Sequence, residues 1–285
     1  MEHLRIHPSG PVFSRIITGA WRWDALSTKE IAALIQTSLD CGITTFDHAD
    51  IYGDHTVEEL FGKAMPAGIR QSIQMITKCG IKFPSSHRRG VYVKHYDTSA
   101  KHIIWSAENS LKNLSTDYID LLLIHRPDPL LNPEEVASAF NKLKESGKVL
   151  HFGVSNFTTA QFSLLQNSLS FPLVTNQIEI SLAKTDSLFN GDLDFMMNHK
   201  FSPMAWSPLG GGKLINQQLT IANLPKATEA QLCLAWLLQH PAKIFPVIGT
   251  SKPERIVEAA SAMNLALDRQ QWFSLLQAAR GFEVA

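Results

Sequence analysis

The sequence predicts an α/β protein in which eight parallel strands close into a (β/α)8 barrel, the TIM-barrel fold. Short apolar runs alternate along the chain with longer segments of helical character, and this alternation favours a parallel sheet. The length of 285 residues suits a barrel, which takes about 250 residues as one unit. No Gly-x-Gly-x-x-Gly loop follows the first strand, at residues 19–23, so an open doubly wound sheet is the weaker alternative. We therefore predict a single domain over residues 1–285.

The chain opens with a predicted β-hairpin. Residues 5–7 and 11–13 flank the turn-forming residues Pro8, Ser9 and Gly10. The eight barrel strands that follow are short runs rich in apolar and β-branched residues. They are predicted at residues 15–19, 42–46, 73–77, 118–124, 149–154, 173–178, 201–206 and 244–248.

Helices are predicted between these strands from capping residues and helical apolar periodicity. Ser27 and Glu30 form a capping-box pattern that opens the first helix, and Gly42 ends it. Two long interruptions of the alternation, at residues 80–97 and 208–213, are expected to line a site, because the loops on the carboxyl face of a barrel usually do. The later helices are predicted near residues 56–64, 99–114, 132–146, 158–166, 187–198 and 227–239, with an extra C-terminal helix at 269–280.

Composition excludes several classes of partner. Lys and Arg together number 26, as do Asp and Glu, so no basic excess indicates nucleic-acid binding. Cys41, Cys79 and Cys233 are scattered without Cys-x-x-Cys spacing, which disfavours both a disulfide framework and a zinc site. The N-terminus lacks a signal-peptide pattern, and no apolar run approaches the roughly 20 residues of a membrane span. We expect a soluble cytoplasmic protein that acts on a small molecule, with no membrane partner and no bound metal.

Four ionisable residues follow or end three of the predicted strands. Asp47 and Tyr52 come after the second strand, Lys78 closes the third, and His125 closes the fourth. The carboxyl ends of parallel barrel strands carry the active site. A tyrosine with a pKa of about 10 is a poor proton donor at neutral pH unless a nearby cation tunes it. The sequence therefore predicts a site in which charged neighbours act on Tyr52.

This set of residues resembles the catalytic tetrad of the aldo-keto reductase superfamily, in a bacterial branch of NADPH-dependent oxidoreductases. Three further segments, 153–157, 176–177 and 205–210, resemble its cofactor site, and the resemblance covers nearly the whole chain. It implies reduction of aldehydes or ketones to alcohols by hydride transfer from NADPH. By the same resemblance, Tyr52 donates the proton, Lys78 paired with Asp47 lowers the pKa of Tyr52, and His125 orients the carbonyl.

The resemblance also implies a set of cofactor-binding residues. Ser155, Asn156 and Gln177 would bind the nicotinamide carboxamide, and Trp206 would stack on the ring, where the family commonly has tyrosine. The pyrophosphate would run along Ser207, Pro208, Leu209 and Gly210, with Lys213 neutralising charge. Trp21 is also assigned to the cofactor site.

The segment after the eighth strand resembles the family's 2′-phosphate site. Hydroxyls, two cations and a helix N-terminus converge there, where an anion is stabilised. Two residues depart from the family: Gly249 stands where many members have lysine, and Ala259, after Glu258, stands where asparagine usually meets adenine. The residues assigned to this site are Gly249, Thr250, Ser251, Lys252, Arg255, Glu258 and Ala259.

Substrate identity and two other functions remain open at this point. Candidate pocket residues are the aromatic or basic side chains Trp21, Trp23, His48, Phe83 and Arg126. One alternative function is a catalytically weak NADP-binding sensor or regulatory subunit, since a fold alone does not fix function. Another is a metal-dependent barrel hydrolase that would use His48, Asp50 and His125, although no His-x-His pair supports it.

Overall fold

A computed structural model describes residues 1–88, 90–216 and 223–283. The first elements are β1 (His3–Arg5), β2 (Val12–Ser14), β3 (Ile17–Gly19), α1 (Thr28–Asp40), β4 (Thr45–Asp47), α2 (Tyr52–His55), α3 (Val57–Ala64) and β5 (Gln74–Cys79). They are followed by β6 (Ile81–Lys82), β7 (His95–Tyr96), α4 (Ala100–Asn113), β8 (Ile119–Ile124), α5 (Pro133–Glu145), β9 (Val149–Ser155) and α6 (Thr159–Gln166). The remaining elements are β10 (Leu173–Glu179), α7 (Asp192–Asn198), β11 (Met204–Trp206), α8 (Glu229–Leu238), β12 (Phe245–Ile248), α9 (Pro253–Ser261) and α10 (Arg269–Arg280).

Eight parallel strands form a closed barrel, as predicted. Their order around the barrel is β3, β4, β5, β8, β9, β10, β11 and β12, with β12 hydrogen-bonded back to β3. All of these pairings are parallel, so every strand has its carboxyl end on the same face. The (β/α)8 fold class predicted from the alternation of strands and helices is confirmed.

The N-terminal hairpin and the C-terminal helix are also confirmed. Strands β1 and β2 pair antiparallel, and α10 has the predicted bounds. The hairpin side chains Ile6 and Phe13 pack with Ile17, Met204 and Phe245, which lie near the starts of barrel strands. The hairpin therefore closes the amino-terminal end of the barrel and leaves the carboxyl end for a site.

Local capping interactions explain why many of the helices begin where the sequence predicts. The capping box at Ser27 forms, with the hydroxyl accepting from the Glu30 amide and the Glu30 carboxylate accepting from the Ser27 amide. Equivalent capping boxes open α6, α8 and α10. Each cap satisfies amide groups that the first turn of a helix leaves without a partner.

Apart from shifts of up to three residues at the ends of elements, two predicted segments differ from the structure. The helix predicted at 187–198 is a short 3-10 turn followed by α7, because Gly191 interrupts the helix with a left-handed φ of 89°, and the Asp192 amide donates to Asn190 Oδ1 at 3.0 Å. The loop at 80–97 contains the antiparallel pair β6 and β7, which was not predicted. None of the helices in the described residues is long and apolar enough to span a membrane.

Candidate active site

A sharp turn after β4 brings Asp47 and Tyr52 to the carboxyl face of the barrel. Asp47 is the last residue of the strand, and the amide of Tyr52 donates to the Ala49 carbonyl at 3.1 Å. Gly53 then adopts a left-handed conformation with φ of 56°, and a Cβ there would lie 2.5 Å from the Cβ of Asp24. Only glycine fits this turn, so Gly53 fixes the path by which Tyr52 returns toward Asp47.

Lys78 is the centre of the arrangement. Its Nζ donates to Asp47 Oδ2 at 2.7 Å, to the His48 carbonyl at 2.8 Å and to the Tyr52 hydroxyl at 3.0 Å. These three bonds use all three protons of the ammonium group. The side chains of Lys78 and Asp47 are almost completely buried, so little water competes for these contacts. The structure thus brings together three residues that the sequence placed at the ends of two strands.

Gln177 makes a contact that the sequence does not reveal. Its Nε2 donates to Asp47 Oδ1 at 3.0 Å, so the two carboxylate oxygens have different partners, Gln177 on one side and Lys78 on the other. Gln177 lies in β10, across the barrel from β4. The contact therefore needs the closed barrel, and a sequence separation of 130 positions hides it from local sequence patterns.

The charges of this cluster act in opposite directions on its members. Burial lowers the pKa of Lys78, but the negative charge of Asp47 and the hydrogen bonds to Asp47 and Tyr52 outweigh it, so the pKa is raised and the ammonium form is held. Burial raises the pKa of Tyr52 more than the charge of Lys78 lowers it. The expected lowering of the Tyr52 pKa is therefore wrong as a net effect, and the tyrosine remains a protonated phenol at neutral pH.

His125 stands beside Tyr52, with the two ring centres 6.0 Å apart and the planes nearly perpendicular. Its position is set by the main chain, where its amide donates to the Cys79 carbonyl at 2.9 Å. Burial lowers the pKa of His125 well below its usual range, and the positive charges of Lys78, Arg126 and Lys94 lower it further. The imidazole is therefore neutral, and a neutral imidazole can donate one hydrogen bond to a substrate oxygen.

A cavity of about 530 Å³ opens over these residues on the carboxyl face of the barrel. Asp47, Tyr52 and His125 line it, whereas Lys78 lies beneath them. The predicted cofactor residues that line the same cavity are Trp21, Ser155, Asn156, Gln177, Trp206, Ser207, Pro208, Leu209, Gly249, Thr250, Arg255, Glu258 and Ala259. The structure thus gathers most of the predicted site residues around one space.

The three residues assigned to the nicotinamide carboxamide are linked to each other and to Trp206. Ser155 Oγ donates to the Gln177 carbonyl at 2.8 Å and accepts from Asn156 Nδ2 at 2.7 Å. The indole nitrogen of Trp206 donates to Asn156 Oδ1 at 2.9 Å. Asn156 adopts a left-handed φ of 62°, a conformation that asparagine tolerates better than most residues. This network fixes the indole of Trp206 at the edge of the cavity.

The opposite end of the cavity is formed by the loop after β12 and the start of α9. Arg255 lies in the first turn of this helix, and its side chain is exposed. The indole of Trp23 donates to the Thr250 carbonyl at 2.8 Å, which ties the loop to the barrel. A Cβ at Gly249 would meet no atom within 4 Å, so this position is open.

Several sequence-based assignments are not supported by the positions of the residues. Among the described residues, Gly210, Lys213, Ser251 and Lys252 do not line the cavity.

Three candidate pocket residues were wrongly assigned as well. Trp23 is fully buried and holds Thr250, His48 packs against Phe61 with ring centres 4.4 Å apart, and Phe83 stacks on His55. They pack in the protein interior or against a neighbouring loop.

Sequence reasoning missed several of the lining residues, including four in the segments after β3 and β5. Ile81, Lys94 and Tyr96 reach the cavity from the β6–β7 segment, and Arg22 reaches it from the loop after β3. The only signal in the sequence was the length of the loop at 80–97. The pairing of Ile81 with Tyr96 leaves no periodic pattern, because each strand has only two residues.

The residues of the hydrolase alternative do not meet. His48 and Asp50 are buried outside the cavity, and Asp50 accepts a hydrogen bond from Ser106 at 2.7 Å. In the part of the chain that the structure describes, no group of three His, Cys, Asp or Glu side chains is placed to hold a metal ion. The geometry thus gives no support to His48, Asp50 and His125 as a metal site.

Comparison with known proteins gives a consistent result. The model of the aldo/keto reductase family matches residues 15–230 and 215–279. The 6-dehydroglucose reductase of Agrobacterium fabrum is 50% identical, over 95% of this chain and 96% of the relative. The oxidoreductase YdhF of Escherichia coli is 44% identical, over 100% of this chain and 99% of the relative.

A solved structure agrees with the sequence comparisons. The thermostable aldo-keto reductase Tm1743, crystallised with the inhibitor epalrestat, superposes with a TM-score of 0.85 at 27% identity. The match covers 98% of this chain and 100% of that one. Family model, sequence relatives and fold therefore agree over nearly the whole length.

Proposed function

The chain belongs to the aldo/keto reductase family, and from that premise we propose that it reduces aldehydes or ketones to alcohols with NADPH as hydride donor. The observation that carries the proposal is the bond between buried Lys78 and the Tyr52 hydroxyl at 3.0 Å, at the floor of the cavity. Carbonyl reduction needs a proton donor at the carbonyl oxygen, and this arrangement supplies one. The proton-donor role of Tyr52 is part of the proposal.

The residues around the cavity fit NADPH. The cavity extends from Tyr52 to Arg255 and Ala259, so one elongated ligand can touch both the reaction centre and the helix N-terminus of α9. Trp206 offers an indole beside the carboxamide-binding amides of Asn156 and Gln177. When bound, NADPH supplies the hydride that reaches the carbonyl carbon.

The chain's own residues supply the proton and the stabilisation of the oxyanion. Tyr52 keeps its proton at neutral pH because its pKa is raised, and it gives that proton to a carbonyl oxygen that becomes alkoxide-like. The Lys78 ammonium then stabilises the phenolate. Asp47 holds Lys78 in place, and Gln177 holds Asp47. Neutral His125 donates a hydrogen bond to the same oxygen and orients the carbonyl.

The same site argues against the alternative of a cofactor-binding sensor or regulatory subunit. A sensor has no need for a buried lysine and carboxylate that activate a tyrosine, and burying such a pair is costly unless it is well bonded.

The A. fabrum relative is named for an aldehyde sugar, so a polyhydroxylated aldehyde belongs in the first substrate panel. The three free cysteines support a cytoplasmic location.

The decisive experiment replaces Tyr52 and follows NADPH oxidation with a panel of aldehydes and ketones. Tyr52→Phe should lower kcat by roughly two to four orders of magnitude, the usual value of a positioned acid, and leave the Kd of NADPH nearly unchanged. Tyr118→Phe is the matched control, because Tyr118 stacks under Arg70 away from the cavity. Turnover near wild type in Tyr52→Phe would refute the role of Tyr52. Tight NADPH binding by the wild type with no oxidation on any carbonyl would favour the sensor.

A further inference from the structure

Two basic side chains from different loops line the cavity beside His125. Lys94 lies just before β7, and Arg126 directly follows His125 at the end of β8. The Arg126 guanidinium also lies 5.5 Å from the centre of the Trp206 ring. Both cations therefore stand at the end of the cavity that holds Tyr52 and His125, where the reacting carbonyl would bind.

The positive charge of this pair reaches the reaction centre. Arg126 and Lys94 both contribute to the lowered pKa of His125, after burial and Lys78, and Arg126 also lowers that of Tyr52. Charges that act on these two rings also act on a ligand lying between them and the cations. The electrostatic effect agrees with the placement of the two side chains on the cavity wall.

The two cations have no acidic partner in the described parts of the chain. Within the described ranges, neither Lys94 nor Arg126 forms an ion pair or a side-chain hydrogen bond. The cavity is lined by two carboxylates, but Asp47 is already bonded to Lys78 and Gln177. The other, Glu258, lies on α9 with Arg255, at the far end.

We propose that Lys94 and Arg126 form an oxyanion subsite, so that the preferred substrates are carbonyl compounds that carry a carboxylate or phosphate group. This proposal rests on the proposed function and specifies its substrate class. A planar guanidinium offers paired donors that match the oxygens of these groups, and a lysine ammonium adds a second charge-assisted contact. The subsite would hold the charged group while the carbonyl lies against Tyr52 and His125.

Matched substrates test the subsite by kcat/KM. Succinic semialdehyde and butanal differ by one carboxylate on the same chain length, and glyceraldehyde 3-phosphate and glyceraldehyde differ by one phosphate. The wild type should prefer the charged member of at least one pair about tenfold or more. The pair that shows the preference identifies which oxyanion the subsite takes.

Variants then assign the preference to the two residues. Lys94→Gln and Arg126→Gln should each lower kcat/KM for the charged substrate about tenfold more than for its neutral partner. Lys142→Gln and Arg269→Gln are matched controls, because both side chains are exposed on outer helices. Calorimetric binding of succinate and of inorganic phosphate to the NADPH complex should weaken in the two cavity variants by a similar factor, independently of turnover.

Three results would overturn the proposal. Equal kcat/KM for the charged and neutral members of both pairs would remove the preference itself. Equal losses for charged and neutral substrates, with a weaker Kd for NADPH, would assign the cations to the cofactor. Losses confined to glyceraldehyde and other neutral polyhydroxy aldehydes would assign them to hydroxyl groups. Turnover of butanal by the wild type tests the proposed function separately, because that substrate has no charge.

Discussion

The two ends of the cavity are built in opposite ways. At one end, Lys78 and Asp47 are buried, and their polar contacts are made to other parts of the same chain. At the other end, Arg255 is exposed, and it forms no ion pair within the described part of the chain. The first end is organised before any ligand arrives, whereas the second presents solvated charges.

This difference indicates what each end contributes. Polar groups fixed in a dry environment need no reorganisation during a reaction, so the buried end is suited to proton transfer. Exposed cations gain contacts only when an anion binds, so the other end is suited to affinity and cofactor choice. Substitutions at the buried end should therefore change stability and kcat together. Substitutions at the exposed end should change only binding.

The largest effect is expected from Lys78→Met. Removing the ammonium leaves the Asp47 carboxylate buried with Gln177 as its remaining side-chain partner, and breaking a buried pair in this way costs about 3–5 kcal/mol. Tyr52 also loses its cation, so turnover should fall by more than about a hundredfold. Urea unfolding and NADPH oxidation measure the two losses.

The double variant Asp47→Asn with Lys78→Met separates the two losses. It has no unpaired charge, so it should recover much of the lost free energy of unfolding but none of the turnover. If the single and double variants were equally unstable, the destabilisation would come from the lost packing of the lysine chain. That result would contradict the view that the buried end is held together by its paired charges.

A second test uses pH, because the imidazole of His48 is buried outside the cavity next to the buried end, where the His48 carbonyl accepts a hydrogen bond from Lys78. Burial and the charge of Lys78 lower the pKa of His48 from 6.5 to about 3. The unfolded chain therefore takes up a proton at His48 as the pH falls below 6.5, whereas the folded chain does not until about pH 3. The contribution to stability is thus complete above pH 6.5 and decreases by about 1.4 kcal/mol per pH unit as the pH falls through that interval.

His48→Leu should remove this slope. Between pH 7 and pH 5 the free energy of unfolding, measured with urea, should fall by about 2 kcal/mol more for the wild type than for the variant. Asp50, whose pKa burial raises to about 7, acts in the opposite sense, so the comparison is between variant and wild type at each pH. His3→Leu, at an exposed position, serves as the control. Parallel curves for wild type and His48→Leu would contradict a neutral buried imidazole.

The comparison between the two ends also explains what could be predicted from the sequence. The strands and helix caps were predictable because apolar runs and capping boxes such as Ser27 and Glu30 are local patterns. Trp23 and His48 were placed in the pocket wrongly, because a residue near a strand end can face either the cavity or the surrounding helices. The contact of Gln177 with Asp47 depends on barrel closure, which no local pattern records.

Arg255→Ala tests the exposed end. If Arg255 binds a 2′-phosphate through charge-assisted hydrogen bonds of about 1.5–3 kcal/mol each, the substitution should weaken NADPH binding about tenfold or more. The Kd of NADH and the free energy of unfolding should hardly change, because the side chain is exposed. Lys252→Ala should have a smaller effect, since Lys252 does not line the cavity. Equal weakening of both cofactors would show that Arg255 supports the loop and does not read the phosphate.

The smallest effect is expected where a charge is added. A side chain at Gly249 would meet no atom within 4 Å, and the backbone there is not in the left-handed region, so Gly249→Lys should be tolerated without loss of stability. The new ammonium would stand in a loop beside Arg255, where exposed ion pairs contribute about 0.2–1 kcal/mol. NADPH should therefore bind up to about fivefold more tightly, with NADH unchanged. Gly249→Gln adds a side chain of comparable size without charge and should leave both dissociation constants unchanged.

A large loss of thermal stability in both variants would show that Gly249 is constrained as tightly as the buried end. A gain for NADH equal to that for NADPH would show that the added charge acts on the pyrophosphate.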